Sequence, residues 1–566
     1  MHYHTSKIYI VTLNILSLFL FLLFTDTRNF AVEASQILTN PTNPINGSCP
    51  YYLSDDNRAF FSCNGSKLSS DPTVKILGNN KNIYRAIKFN QKNISQTSKN
   101  LRVISKSNKY NLQAKDIDKR PILKAGWPLN LGIFEFPAAS ADLDRDGKKD
   151  LIFTVFGPDM IVALHDDGSA VNGWPVNWRN LTGQSGSSGN PAIGDIDGDH
   201  LPDVVGSPLR YYIYAFNNDG TVKSNWPVDL RKYVLDGNPS PDAVHLADLD
   251  GDGKDDVVVT CYASGDFSYI FAFNGKGEIL SGWPVRLPLQ YFGSGMNFVS
   301  IIPSSNLSNN HPHVFVLQRE GSQSQSTLMG TLLDYRGQIM PGWPVTIDHQ
   351  DTYYNPVIAD INGDKSPEII FVSSQFNGVF HKYIYVLELD GTPLRGWPIN
   401  LDFLFPDGYG DLTNPTIGDI DGDGLPELVT SAQFSSGSDG KIAVFDYNGN
   451  LLPGWPVYLP IGWMNTPVIV DINNDSIPEL IGGGLGSIFA LDTHGNMLAG
   501  WPVAIGGYSN YSNTIDNFDN DGEMELLVGG GVNNSIYLYD LRRSSASNEQ
   551  WPMYLHDSKR TGAYGF

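Results

Sequence analysis

A Trp-Pro dipeptide returns along most of this chain at nearly even intervals, and that return limits the folds open to it. The pairs begin at Trp127, Trp174, Trp226, Trp283, Trp343, Trp397, Trp455, Trp501 and Trp551, separated by 46 to 60 residues. Periods of this size belong to stacked or radial repeat architectures. Most pairs follow a Gly, and six of the nine precede a Val. Residues 414–457 show the order inside one interval. A short apolar run, Pro415–Gly418, leads into an acidic stretch, and Glu427–Ser431 forms a second apolar run. Lys441–Asp446 alternates and is partly aromatic, Asn448-Gly449 is a hairpin-type turn, and Gly454-Trp455-Pro456-Val457 opens a fourth run.

The last two runs recur as IVALHDDGSAVNGWPV (161–176), IYAFNNDGTVKSNWPV (213–228), IFAFNGKGEILSGWPV (270–285) and IFALDTHGNMLAGWPV (488–503). None carries a helical stripe of apolar residues; all alternate and are bounded by turn residues. Four antiparallel strands in about 53 residues make one small twisted sheet, which cannot bury both of its faces alone. Radial packing of several such sheets solves this and leaves only short edges. The expected fold is therefore an all-β propeller of four-stranded blades, with each Trp plugging the gap to a neighbouring blade and its Pro on the outer strand. Nine Trp-Pro runs bound eight intervals. Eight blades are expected, closed either by the Trp127 run with Trp551 in a tail or the reverse; seven is the alternative if one interval forms no blade.

Between the first and second runs lie DLDRDGKKD (142–150), DIDGDHLPD (195–203), DLDGDGKDD (248–256), DINGDKSPE (360–368), DIDGDGLPE (419–427), DINNDSIPE (471–479) and NFDNDGEME (517–525). Positions 1, 3, 5 and 9 are oxygen donors throughout. They are Asp142, Asp144, Asp146 and Asp150; Asp195, Asp197, Asp199 and Asp203; Asp248, Asp250, Asp252 and Asp256; Asp360, Asn362, Asp364 and Glu368; Asp419, Asp421, Asp423 and Glu427; Asp471, Asn473, Asp475 and Glu479; and Asn517, Asp519, Asp521 and Glu525. Carboxylates so crowded repel one another unless a cation sits among them. Ca²⁺ accepts six to eight oxygens in flexible geometry, and alternate side chains of a tight turn can all face it. Mg²⁺ demands a stricter octahedron, and no His or Cys stands at these positions for Zn²⁺. Gly at position 6, present in four of seven loops, suits the sharp turn. The chain is expected to take up to seven Ca²⁺, which would move its formal net charge from −22 to −8. The interval between Trp283 and Trp343 has SSNLSNNHPHVFVL (304–317) instead, with no carboxylates. No Ca²⁺ is expected there, and His311 and His313 read as exposed loop residues.

These loops and repeats resemble the FG-GAP/VCBS family of bacterial and integrin-α-type β-propellers, over roughly residues 123–566. The tail QWPMYLHDSKRTGAY (550–564) also looks like a terminal segment of secreted bacterial propellers. The resemblance implies a calcium-stabilised extracellular propeller used in adhesion or recognition, with the seven loops as its metal positions, and names no single ligand.

Composition narrows the function. A net charge of −22 argues against nucleic acid as a partner. Lys7 precedes an apolar run, Ile8–Phe24, and a cut after Ala34 would release residues 1–34 as a secretory signal; an uncleaved anchor, the chain's one membrane contact, is the alternative. The protein is expected to be secreted or at the cell surface. Residues 35–122, rich in Asn, Ser and Lys, read as a partly ordered extension. Cys49 and Cys63 could pair, and Cys261 reads as a buried thiol. The expected role is a non-catalytic adhesion or recognition module for an extracellular protein or glycan, with a secreted polysaccharide lyase or glycosidase as the alternative. For the latter, Asp407, Tyr409, Asp411, Tyr353 and Tyr354 were the candidate pocket residues between blades; no nucleophile–base motif stands out.

Overall fold

A computed structural model describes residues 120–565, interrupted by stretches of at most seven residues, and strand segments Tyr51–Leu53, Ala59–Cys63 and Ser66–Lys67. The chain divides into two compact units, 1–111 and 112–566. In the first, the three segments form one antiparallel sheet. The leader, residues 68–119 of the expected extension, and Cys49 with its expected pairing to Cys63 lie outside the described residues. Among those described, no helix is long and apolar enough to cross a membrane.

The second unit is a β-propeller of eight four-stranded blades in a ring. Blade 3 shows the plan: Pro239–Ala247, Asp256–Ala263, Phe267–Phe273 and Val285–Pro288 pair in sequence order, each antiparallel to the next. The second and third strands are apolar on both sides because each blade is covered by two neighbours. Phe271 and Phe273 of blade 3 thus pack with Ile213 and Trp226 of blade 2, whereas Ile270 and Ala272 pack toward blade 4 with Val299 and Val314.

Ring closure answers the count. Leu129–Asn130 pairs with Ser535–Leu541, so the Trp127 run is the outer strand of blade 8 and unites the two ends of the propeller. Glu549–Trp551 pairs instead on the inner side of blade 7, beside Val468–Val470. The ninth Trp-Pro is thus in the tail, and no blade is lost.

The eight repeating tryptophans sit between blades, 6 to 8% exposed, and their bonds to proline are cis. Seven indoles donate to a carbonyl in the turn between third and fourth strands of the next blade: Trp127 to Asp166, Trp226 to Gly275, Trp343 to Leu389 and so on, at 2.8 to 3.1 Å. The preceding glycine has a steric cause. Gly282 has φ +93° and a Cβ there would lie 2.0 Å from the Arg336 carbonyl oxygen. A side chain at Gly282 would push the neighbouring turn away; in blade 2 Asn225 takes the equivalent position at φ +68°. One expectation needs correction: Gly-Trp-Pro lies just before the outer strand, which begins at the following residue, as in Val457–Leu459.

Candidate metal centres and the central channel

The antiparallel order puts every acidic loop at one end of its blade, beside the turn that holds the Trp-Pro motif. All seven loops fold alike. The closing acid at position 9 begins the second strand, or in blade 8 stands second in it, and is buried, from 0% exposed in Asp150, Glu368 and Glu525 to 3% in Glu479. One of its oxygens accepts the backbone N–H of position 2, as Glu427 does from Ile420 at 2.7 Å and Asp150 from Leu143 at 2.8 Å. Position 5 accepts the N–H of position 7 in every loop, for example Asp423 from Leu425 at 2.8 Å. In six loops position 1 accepts the N–H of position 6, as in Asp419 with Gly424. The closing acid thus spends one oxygen on the turn and leaves the other facing the loop, whereas position 1 commits both oxygens to the turn in five loops, as Asp419 does to Gly422 and Gly424.

The turn needs left-handed backbone at both positions 4 and 6. The latter has φ between +64° and +92°, yet His200, Lys365 and Ser476 hold it as well as glycine. Glycine there lowers strain and is not required, which is why only four loops have it.

Carboxylate oxygens converge within the loops. In blade 1, Asp142, Asp144 and Asp150 each offer one within 4.8 Å of the others; so do Asp248, Asp250 and Asp256 in blade 3, and Asp360, Asp364 and Glu368 in blade 5. The Asn residues at position 3 take part: Asn362 donates to Asp364 and Glu368, and Asn473 to Glu479. Asp142 Oδ1, Asn517 Oδ1 and Glu525 Oε1 are buried without a hydrogen-bond partner. The electrostatic cost is large. Burial, with the neighbouring carboxylates, pushes Asp256, Glu368, Glu427 and Glu479 up to about 8. Hard oxygens, clustered, partly unsatisfied and held by backbone bonds, fit a cation such as Ca²⁺.

Two loops differ in a way the sequence reading missed. In blade 2, the Lys223 ammonium is 2.6 Å from both Asp197 Oδ2 and Asp203 Oδ1. In blade 8, Lys124 is 2.6 Å from Asp519 and 3.7 Å from Glu525, and reaches Asp166 of blade 1 at 3.3 Å. Burial opposes the charge of both lysines, but their acid partners outweigh it and raise their pKa values. In blade 1, His165 Nδ1 lies 2.9 Å from Asp150.

Blade 4 has a short 3-10 turn, Ser304–Asn306, where the loop would be. Its histidines are not exposed, contrary to expectation. His313 begins the second strand, buried. His311 stacks on Tyr335, with ring centroids 4.0 Å apart, and its Nδ1 lies 3.0 Å from the Leu249 carbonyl of blade 3. Of the pocket candidates, Asp407, Tyr409 and Tyr353 lie outside the described residues, Asp411 begins the short strand Asp411–Leu412, and Tyr354 packs against the core.

The inner edge of the ring carries the second unforeseen feature. The first strands would present unpaired N–H groups to the channel. The C-terminal tail meets them blade by blade. Trp551 pairs with Ile469 in blade 7. Pro552 accepts from Ile515 in blade 8, Ser558 from Ser140 and Ile193 in blades 1 and 2, Lys559 from Leu246 in blade 3, Thr561 from Ile301 in blade 4 and Gly562 from Ile358 in blade 5. Gln550 accepts from Asp419 in blade 6 and from the Tyr564 hydroxyl, so the tail closes on itself after one circuit. Arg560, fully buried, donates to the carbonyls of Pro137, Pro191 and Tyr554. In the seven blades with acidic loops, the residue whose N–H or strand edge meets the tail stands at the loop's first position or two residues before it, at that end of the channel.

The FG-GAP-like repeat model matches residues 204–259 and 419–482, stretches that contain the acidic loops of blades 3, 6 and 7. No curated protein matches the chain. Among solved structures it is similar to the biofilm matrix protein Bap1 of V. cholerae, at 15% identity and a TM-score of 0.36 over 77% of this chain and 94% of that one. It is also similar to BBS1N solved in complex with ARL6DN, at 9% identity and a TM-score of 0.40 over 75% and 98% of the two chains. An Agrocybe aegerita lectin that recognises non-reducing terminal N-acetylglucosamine matches at 16% identity and a TM-score of 0.35, over 67% and 92%. Matched repeats, acidic loops in register and a ring of four-stranded sheets make the chain a β-propeller that contains FG-GAP-like repeats, consistent with the FG-GAP/VCBS family.

Proposed function

We propose that this chain is a secreted or cell-surface calcium-binding propeller that recognises an extracellular glycan or protein without transforming it. The observation that carries this reading is the division of labour within the ring. One end is committed to acidic loops, each closed by a buried carboxylate that needs a cation, and the channel at that end is lined by the chain's own tail. Ca²⁺ would be held by the side-chain oxygens of positions 1, 3, 5 and 9, where it would supply charge neutralisation and fix one strand connection in each blade that binds it. The surface left for a ligand is the opposite end, where connections run from fourth to first strands. Connections on a rigid scaffold are the usual seat of recognition.

The test is binding of the purified protein to an array of immobilised glycans, with calcium and with chelator, followed by analysis of the bound glycans for cleavage. Retention of a defined glycan with no new ends is the expected result. New reducing or unsaturated ends would replace recognition with catalysis. No retention of any glycan, with capture of an extracellular protein instead, would keep the module and change its ligand class.

A further inference from the structure

The seven acidic loops are not equivalent, and the difference traces to one register position outside them. In each blade a residue after the turn between third and fourth strands donates its backbone N–H to the third strand. These residues are Val171, Leu280, Met340, Leu394, Leu452 and Leu498 in blades 1 and 3 to 7, all apolar. In blade 2 the same bond is made by Lys223 to Ala215, and in blade 8 by Lys124 to Leu538. From that position the side chain extends along the blade to its acidic loop. Apolar residues stop short of the carboxylates; a lysine reaches them.

We propose that in blades 2 and 8 this lysine is the resident cation, so that these two loops take no calcium of their own. This rests on the reading that the remaining loops bind Ca²⁺. In blade 2 the ammonium touches Oδ2 of position 3 and Oδ1 of position 9 at 2.6 Å each. Those are the oxygens a calcium ion would need at 2.3–2.6 Å, and two cations cannot share them without strong repulsion. The other oxygen of Asp203 accepts the Ile196 N–H, so both oxygens of the closing acid are already engaged. Blade 8 has the further deficit of Asn517 at position 1. Its Lys124 belongs to the segment that closes the ring and also reaches Asp166 of blade 1. The seam between the chain's two ends is thereby neutralised covalently, by a charge that dialysis cannot remove.

Substitution separates this from the general calcium reading. Lys223→Leu and Lys124→Leu install the residue that blades 3, 5, 6 and 7 carry at this position, so the fold should tolerate them. Each full-length protein is equilibrated with calcium, dialysed, and its bound calcium measured by elemental analysis. Each single variant should gain one equivalent over the unsubstituted protein, and the double variant two. No gain in any variant, with calcium present in all, overturns the lysine assignment and leaves the calcium reading intact. No calcium in any protein, unsubstituted or variant, overturns the calcium reading itself. A second measurement needs no variant: acetylation of the unsubstituted protein, read lysine by lysine by mass spectrometry. Lys223 and Lys124 should be equally protected in calcium and in chelator. Labelling that rises in calcium would mean that the ion displaces them, and would sink the proposal.

Discussion

Blades 3 and 4 are neighbours with the same four strands and the same Trp-Pro plug, yet one carries four aspartates between its first two strands and the other carries none. Blade 4 makes that connection with a 3-10 turn and a histidine stacked on tyrosine. The strands of both are equally buried. The propeller architecture therefore does not depend on the acidic loop; inner strands, interblade apolar contact and the indole bonds suffice to build a blade. What the loop adds is a charge cluster whose closing acid is buried, which is unfavourable by several kcal/mol when ionised and unpaired. A chain retains such a feature in register because something cationic reverses its sign.

Removing the cation should show the difference most strongly. With calcium well above its dissociation constant, each occupied site adds about 2.7 kcal/mol at a hundredfold excess, so several sites together should shift the melting temperature by on the order of 10 °C. Differential scanning calorimetry in calcium and in chelator measures this. Equal melting would mean that the acidic blades behave like blade 4. The pH dependence should also invert. Asp256, Glu368, Glu427 and Glu479 are pushed up to about 8 by burial without metal. A carboxyl raised in the folded state contributes stability while protonated. That contribution is complete below its unfolded value, near about 4, and is lost as pH climbs through the folded value. The chelated protein should therefore melt higher at about pH 5 than at about pH 9. Calcium, which favours the ionised form, should flatten or reverse that slope.

Trp343→Ala attacks what the two blades share. The ring is 7% exposed, meets Phe315 edge-on at 5.4 Å and donates to Leu389 of blade 5. Loss of a buried tryptophan costs about 3–5 kcal/mol. Because no carboxylate is involved, the loss measured by denaturant titration should be the same with and without calcium. A loss that depends on calcium would show that the plug and the loops are coupled.

Much of this was legible in the sequence, for identifiable reasons. The Trp-Pro period is carried by a steric need, glycine against the next turn and indole against the next blade, so it repeats in every interval. The loop acids repeat because each position has a fixed backbone bond to make. The closure was ambiguous because Trp127 and Trp551 carry the same dipeptide, and only pairing of Leu129–Asn130 with blade 8 separates them. The path of the tail was not legible: its carbonyls, which carry no sequence identity, make most of its bonds. Lys223 and Lys124 were legible but unread. Aligning the intervals would have shown a charge where six blades place an apolar side chain. His311 and His313 are covered, against expectation, because the first meets the Leu249 carbonyl of blade 3 and the second begins a buried strand.

A smaller effect with a change of sign is expected from Glu427→Gln. The amide oxygen can still accept the Ile420 N–H that the carboxylate now holds at 2.7 Å, so the turn should keep its shape. In calcium the variant should lose one bound ion and roughly 2 to 3 kcal/mol. In chelator it should melt slightly higher than the unsubstituted protein, because a buried acid that resists ionisation has become neutral. Destabilisation under both conditions would mean that the carboxylate serves the fold directly and the cation is incidental.

His311→Ala probes the boundary between the two blades at the smallest scale. The ring stacks on Tyr335 of its own blade and joins blade 4 to blade 3 through its bond to the Leu249 carbonyl, which belongs to position 2 of the blade 3 loop. A stacked ring pair is worth about 0.5–1.5 kcal/mol and a hydrogen bond about 1 kcal/mol, part of which water regains at a half-buried site. A loss of about 1 kcal/mol is expected, and it should be greater in calcium than in chelator. Leu249 N–H is fixed by the closing Asp256 at 2.9 Å, so a loop ordered around an ion has a definite carbonyl for the histidine to meet, while a loop relaxing its own repulsion has less to lose. If the two losses are equal, blade 4 is only a spacer in the ring; if they differ, the blade without a metal loop helps to hold its neighbour's.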